Sequence, residues 1–466
     1  MKTYVPVVIV ILWFLFQPVS GLGQTGVTNE KRIQELEDQV KGIRKELLDA
    51  KKERQSFSEN AKPGPIQLAT SITVRYDITE VEDQTDLLLE DNEIEGFRTR
   101  VRFAINYRSD GYVSGGLRLS AGGDPNPTSP FIRLGDSFRS KSFNIDRFFI
   151  NYQPLTIYDE LVFTVGKMPQ PFWLGDRGPF RTEMIWDTDV NPEGIVLKVG
   201  TPKNFLFNMI QIENTAGFFS IYEATDFRFS GLTGDTYLLA DQVLIKVDPG
   251  SLGGSIDPGS LGGTVAVALY DFENINSGLR APNFTPGSGA FVEPGTTAFL
   301  LRGGLQRTNN QINYGPGAIG FVEDEFAPLV ITSQVYFSIP EQWLEPLGID
   351  FISPELFVLG DYVENLSFGR DDTGFGITGG IRGGGKGFLN PFNLWYTYRN
   401  VDADATLATF ADSDLGAGTG YDGFEILFNY KILPDLLFQF LYLDFDGFPN
   451  KDNNVTRMFF DVVLTF

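Results

Sequence analysis

Residues 97–108 limit the possible folds more than any other segment. Phe97, Thr99, Val101, Phe103, Ile105 and Tyr107 fall on one parity; Arg98, Arg100, Arg102, Ala104, Asn106 and Arg108 fall on the other. A period of two puts the sets on opposite faces of a strand. Four arginines on one face cannot sit in a dry core, because unpaired buried charge is too costly. That face requires water and its reverse requires an apolar medium. An aqueous lumen walled by strands that face lipid satisfies both. Asp110-Gly111 then supplies a tight hairpin.

The end of the chain repeats the pattern. Phe466, Leu464, Val462, Phe460 and Met458 share an apolar face, while Thr465, Val463, Asp461, Phe459 and Arg457 form a mixed one. A half-exposed strand ending on an aromatic residue resembles the insertion signal of outer-membrane β-barrels. That resemblance implies the barrel-assembly machinery as a partner and outer-membrane lipid as the surroundings.

Residues 1–23 read as a secretory signal: Lys2, an apolar run from Tyr4 to Phe16, then Pro18 and the small residues Ser20, Gly21 and Gly23. No other stretch approaches 18 apolar residues, so a membrane-embedded form of this chain must be a barrel.

Residues 24–60 read as a periplasmic coiled-coil segment. Ile33, Leu36, Val40, Ile43, Leu47 and Ala50 are spaced alternately by three and four, with Arg32 placed to face Glu37 and Glu46 to face Lys51 of a parallel neighbour. Gly42 weakens the middle by about 1 kcal/mol, so the helix is expected to pair only once barrels associate, or else to lie on its own chain. A peptidoglycan or other periplasmic partner is the other use for such a segment. Residues 61–65, Ala-Lys-Pro-Gly-Pro, form a stiff linker.

Residues 66–466 read as a transmembrane antiparallel β-barrel of about sixteen strands, eighteen being the alternative. Seventeen segments alternate, among them 204–214, 264–273, 297–308 and 349–364. A barrel with both ends on one side needs an even count. Alternation of long and short connections from both ends collides only at 297–308. Removing it leaves sixteen and one long outer loop, about 274–326. The repeat Asp248-Pro-Gly-Ser-Leu-Gly-Gly254, Asp257-Pro-Gly-Ser-Leu-Gly-Gly263 reads as a duplication within a turn.

Composition narrows the chemistry. The chain has no Cys and no His and a net charge of −23. This removes disulfides, thiol nucleophiles, Ser–His triads and His-based metal sites, and it argues against nucleic acid as a partner. No cofactor is expected. Only carboxylate chemistry survives, and a pair such as Asp187 and Asp189 fits a constriction as well as an active site, so the chain is not read as an enzyme.

Three longer stretches carry a family resemblance: Val165-Gly-Lys-Met-Pro-Gln-Pro-Phe172, Trp186-Asp-Thr-Asp-Val-Asn-Pro-Glu-Gly194 and Tyr398 to Gly416. They resemble the "putative porin" family of Gram-negative outer membranes. The resemblance implies passive diffusion of small hydrophilic solutes through a trimeric barrel, without naming a solute. Its rival in another class is a closed anchor tethering the envelope through the coil.

The connection 169–193 is the candidate to fold into the pore. It carries Phe172, Trp173, Phe180 and Trp186 as apolar anchors, Asp176, Glu183, Asp187, Asp189 and Glu193 as acids, and Arg177 and Arg181 as bases. Opposite it would stand Arg98, Arg100, Arg102 and Arg108, with Arg118, Arg147, Lys167 and Lys198. Acid facing base gives a transverse field. Residues 80–96 and 402–420 are acidic without a base; they read as an acidic mouth favouring cations, and the arginines read as a path for anions or phosphate.

Overall fold

In the computed structural model, the described residues are 65–82, 92–109, 112–121, 131–135, 141–154, 161–175, 182–201, 209–222, 235–247, 261–275, 311–315, 318–321, 325–344, 346, 354–367, 369, 372–383, 391–415, 418–447 and 454–466. The signal segment, the coiled-coil seam from Ile33 to Ala50, the linker at 61–64 and the dropped segment 297–308 lie outside them.

The strands in chain order are β1 (Ile66–Glu82), β2 (Asn92–Arg108), β3 (Val113–Ala121), β4 (Ile132–Arg133), β5 (Phe143–Tyr152), β6 (Val162–Lys167), β7 (Glu193–Gly200), β8 (Ile210–Tyr222), β9 (Thr236–Val247) and β10 (Leu261–Glu273). They continue as β11 (Gln311–Gly315), β12 (Ala318–Phe321), β13 (Pro328–Ser338), β14 (Glu355–Asn365), β15 (Thr373–Gly383), β16 (Phe392–Val401), β17 (Tyr421–Leu433), β18 (Leu436–Asp446) and β19 (Asn454–Thr465). One short helix, α1 (Glu341–Leu344), lies between β13 and β14.

All pairings are antiparallel, and each wall strand pairs with the next wall strand in the chain. β1 then pairs with β19, from Ser71↔Thr465 to Glu82↔Asn454, and closes the sheet into a barrel. Phe466 and Thr70 lock this seam by exchanging backbone hydrogen bonds of 2.7 and 3.0 Å. Sixteen strands form the wall, and β4 is an appendage of the 17-stranded sheet. It pairs with β2 at Arg98 and Thr99, where β2 outruns the shorter β3. β11 and β12 form a separate hairpin inside the long connection.

The outside is apolar. On β2 and at the end of β19 the exposed large residues come from the expected apolar faces, among them Phe97, Phe103, Tyr107, Phe460, Leu464 and Phe466, and on β1 Leu68 is exposed beside them. Val462 and Met458 share their parity, opposite Val74 and Ile78. On β5 the outward Ile145, Phe148 and Ile150 are each about 60% exposed, a continuous surface suited to lipid.

Several strand boundaries differ from expectation: β2 begins at Asn92 rather than at 97, and the strand expected at 349–364 runs Glu355–Asn365. The strand expected at 204–214 runs Ile210–Tyr222. Its Thr215-Ala-Gly217 reads as loop, yet Gly217 belongs in the wall: a Cβ there would stand 2.5 Å from the inward ring of Phe219. The strand expected from Thr264 begins at Leu261, inside the second copy of the repeat. Gly262 fits there because the Tyr336 ring lies across it on the paired strand.

The candidate constriction

The charged half of the lumen is built by β1, β2, β3, β5 and β19. On β2, Arg98 pairs with Asp77 of β1 at 2.5 Å. On β3, Arg118 stands opposite Arg147 of β5. The register of β5 shifts beside them, so Asp146 is an extra residue between Ile145 and Arg147. Such a bulge turns two consecutive side chains toward one face. Asp146 thereby reaches Arg118 in an ion pair and stands 3.7 Å from Arg102. On the β1–β19 seam, Arg75 makes a two-bond fork to Asp461 at 2.9 and 3.0 Å. Arg75 and Arg100 both stack on the Phe131 ring, at 4.2 and 4.7 Å, and the short β4 pairing holds Phe131 in that place.

The opposite half presents a broad apolar surface with few charges. Ala266, Ala268 and Tyr270 of β10, Val330 and Tyr336 of β13, and Trp395 of β16 point inward and are buried. Two connections fold into the barrel and cover them. In residues 168–192, the amide of Trp173 donates to Gln242 Oε1 at 2.7 Å, and Gln242 Nε2 donates back to the Trp173 carbonyl at 3.0 Å. Phe172 packs edge-on to Tyr270, and Trp186 lies between Tyr270, Phe272 and Phe410. Phe410 belongs to the second inward connection, 402–420. There Arg399 of β16 holds Asp412 at 2.6 Å, and both groups are buried.

The two connections are joined edge to edge. Asp187 N donates to the Phe410 carbonyl at 2.7 Å, and Asp412 N to the Glu183 carbonyl at 2.9 Å. Asp187 Oδ2 accepts from Ser413 N and Oγ at 3.1 and 2.9 Å, and its Oδ1 accepts from Asp189 N at 2.8 Å. The joined edge then reaches the wall. Asp189 takes Arg100 Nη1 at 3.0 Å and Arg102 Nη2 at 2.5 Å. Asn191 accepts from Arg147 Nε at 2.6 Å and donates to Asp146 at 2.8 Å. From the second connection, the Ser413 and Asp414 carbonyls accept from Arg457 at 3.1 and 2.7 Å.

These surroundings separate the acids. Burial pushes the Asp189 carboxyl up, but Arg100 and Arg102 outweigh it and hold the group down at about 2. Burial, with Asp189 and Asp412 adding repulsion, holds Asp187 well above the usual carboxylate range. Burial and the neighbouring Asp412 and Asp187 do the same to Glu183. Asp412 is raised by burial, with Arg399 opposing.

Of the expected residues, the structure brings together Arg100, Arg102, Arg118, Arg147, Asp187 and Asp189, with Arg98 beside them and Glu183 behind. The expected gap between acid and base is closed at Asp189, which touches the arginines directly. Arg108 lies at the far end of β2, opposite Ser114. Lys167 and Glu193 do not line the lumen. They pair with each other on the outward parity of Phe148, Val165 and Ile195, because β6 ends one residue before the chain turns inward at Met168. Lys198 is engaged by Glu213 at 2.6 Å. Arg177 and Arg181 lie outside the described residues. The acidic mouth at 402–420 is also revised: Asp404 and Asp412 are buried inside the barrel, where Arg399 neutralises the latter.

Asp146, Asn191, Arg75, Asp461, Ser413 and Arg457 complete the site beyond the expected set. The adjacent charges Asp146-Arg147 in an otherwise alternating strand were the visible trace of the bulge. Nothing local marks Ser413 or Asp461, whose partners are remote in sequence.

A closed antiparallel barrel with an apolar exterior, a charged interior wall and loops folded onto that wall defines a membrane β-barrel of the porin type. The sequence matches the family described as "Putative porin" over residues 51–466, and the chain belongs to that family. It is an outer-membrane protein of that class. No curated protein matches the sequence. Solved structures with similar folds include OprB of Pseudomonas putida, at 10% identity over 91% of this chain and 96% of that one, with a TM-score of 0.48. DcaP, an outer membrane channel of Acinetobacter baumannii, is 12% identical over 86% of this chain and 97% of that one, with a TM-score of 0.43. OmpF of Salmonella typhi is 8% identical over 86% and 97%, with a TM-score of 0.46.

Proposed function

We propose that the chain forms a water-filled channel for passive diffusion of small hydrophilic solutes, with passage controlled where the two inward connections meet the arginine wall. The observation that carries this reading is the reach of Asp189 across the lumen from 168–192 to Arg100 and Arg102. Two loops folded inside the barrel and tied to both halves of its wall narrow it. The arginines keep part of their surface in solvent: the Arg98, Arg100 and Arg102 side chains are 36, 22 and 15% exposed.

The sign of the preference follows from the charges at this level. Arg98–Asp77 and Arg399–Asp412 are each paired within themselves, and burial favours the neutral form of Asp187 and Glu183. With these set aside, six guanidinium groups (Arg75, Arg100, Arg102, Arg118, Arg147, Arg457) face four carboxylates (Asp146, Asp189, Asp414, Asp461). The excess is positive, and in a narrow site of low dielectric it acts on each passing ion. Anions are therefore favoured at the constriction, although the whole chain is acidic.

The test is single-channel recording of the purified protein in a planar bilayer, with the reversal potential measured under a KCl gradient. Steady conductance steps with a chloride-selective reversal are expected. A potassium-selective reversal would refute the sign. Stable insertion without conductance would refute the channel and leave a closed anchor.

A further inference from the structure

We infer that Arg100, Arg102, Arg118 and Arg147 form a binding site for the carboxylate of a small organic acid, and that the chain's own Asp189 fills this site. The inference rests on the channel reading and adds a solute class to it.

The geometry is that of a bound ligand. Asp189 presents both oxygens to Arg100 Nη1, at 3.0 and 3.3 Å, while Arg102 Nη2 takes Oδ1 at 2.5 Å. Two guanidinium groups converging on one planar carboxylate is the arrangement proteins use to recognise carboxylates. The donors belong to the rigid wall, at successive inward positions of β2, and the acceptor belongs to a connection. Beside them, Arg118 pairs with Asp146, and Arg147 gives its Nε hydrogen bond to a neutral amide, Asn191. Four guanidinium groups thus share two carboxylates, Asp146 and Asp189. If Asp189 left without replacement, four would share one, and the mutual repulsion of Arg100, Arg102 and Arg118 would oppose departure. A solute carboxylate entering as Asp189 leaves keeps the charge and the two-oxygen geometry unchanged. Chloride matches the charge and could stand where Oδ1 does, but it offers no second acceptor in the place of Oδ2. The Phe131 ring, 4.7 Å from the Arg100 guanidinium, gives the apolar part of an organic acid a surface next to its carboxylate.

Asp189 is then a tethered competitor. It keeps the site ordered when empty of solute and weakens solute binding enough for release, as conduction requires.

The experiment titrates sodium succinate into the detergent-solubilised full-length protein by calorimetry, and separately into a bilayer carrying its KCl current. Asp189→Asn is expected to bind succinate about tenfold more tightly than wild type, the penalty of a site that its own ligand fills about nine-tenths of the time. The wild-type KCl current should fall as succinate is added, and Arg147→Gln should weaken that block by about threefold or more; this arm needs no change at Asp189. A protein that conducts KCl but neither binds succinate nor is blocked by it overturns the site and leaves the channel standing. One that binds succinate without conducting keeps the site and removes the channel. Inorganic phosphate binding as tightly as succinate overturns the carboxylate assignment in favour of a general anion site.

Discussion

Asp187 and Ser413 are 226 residues apart in the chain, yet one carboxylate oxygen of Asp187 accepts both the amide and the hydroxyl of Ser413. This contact makes the two inward connections one unit. Ser413→Ala removes the hydroxyl donor and keeps the amide, so it should cost about 1 kcal/mol. The loss falls on the joined edge and not on the wall. Barrel melting should therefore change little while single-channel current becomes noisier. A quiet channel identical to wild type would show that the hydroxyl bond does not hold the edge.

Asp189 makes the clamp on the wall depend on pH in a definable direction. A free aspartate titrates at about 3.9, and burial opposed by Arg100 and Arg102 leaves this one at about 2. A depressed folded-state value means that the stabilisation is complete above about pH 4 and is lost as the pH falls through about 2. Conductance should therefore be insensitive to Asp189 from pH 7 to about 4 and should shift below about 3, as the clamp loosens. Asp189→Asn should remove that acid transition. If the transition persists in the variant, another carboxylate is its source.

The barrel was legible in the sequence and half of its lumen was not. Strand β2 advertises itself because its two faces differ as much as faces can, arginine against aromatic and aliphatic. The parity of β19 against β1 likewise places Met458 to Leu464 outside. On β10, Ala266, Ala268 and Tyr270 face inward and Val265, Val267 and Leu269 outward. Both faces are apolar, so alternation cannot say which is wet. That half is covered by 168–192 and 402–420. The aspartates of 402–420 read as a solvated mouth because nothing local shows that the connection folds inward, where Asp412 meets Arg399 and Asp414 meets Arg75, 339 residues away. Lys167 was misplaced for a simpler reason: it has the parity of Phe163 and Val165, the outward residues of β6, so its own strand already put it on the outer face.

Gly166 should tolerate no side chain. Its φ is +116°, a region closed to other L residues in practice. A Cβ there would stand 2.3 Å from the Phe148 carbonyl oxygen, which is backbone of the adjacent strand and cannot move aside. The residue lies two positions before Met168, where the chain turns into the lumen. Gly166→Ala should destabilise by about 2 kcal/mol or more from strain and overlap together. The urea midpoint of the folded barrel, read by its mobility on an unheated gel, should fall accordingly. An unchanged midpoint would mean that β6 can slide past β5.

Val267 tests which side of the wall meets lipid where the sequence is silent. It lies at the middle of β10, is exposed on the outer face, and has Ile331 and Val243 on either side. Its chain neighbours Ala266 and Ala268 are buried and face in. Lysine on the lipid face of a barrel costs about 2–4 kcal/mol at mid-depth and little near the interfaces. Val267→Lys should therefore lower stability in lipid vesicles by that amount. Leu261→Lys, at the end of the same strand and on the same face, should cost less than about 1 kcal/mol. The contrast between the two separates lipid from water. An outer face that met water would accept lysine at both positions, and equal, small losses would place β10 outside the membrane.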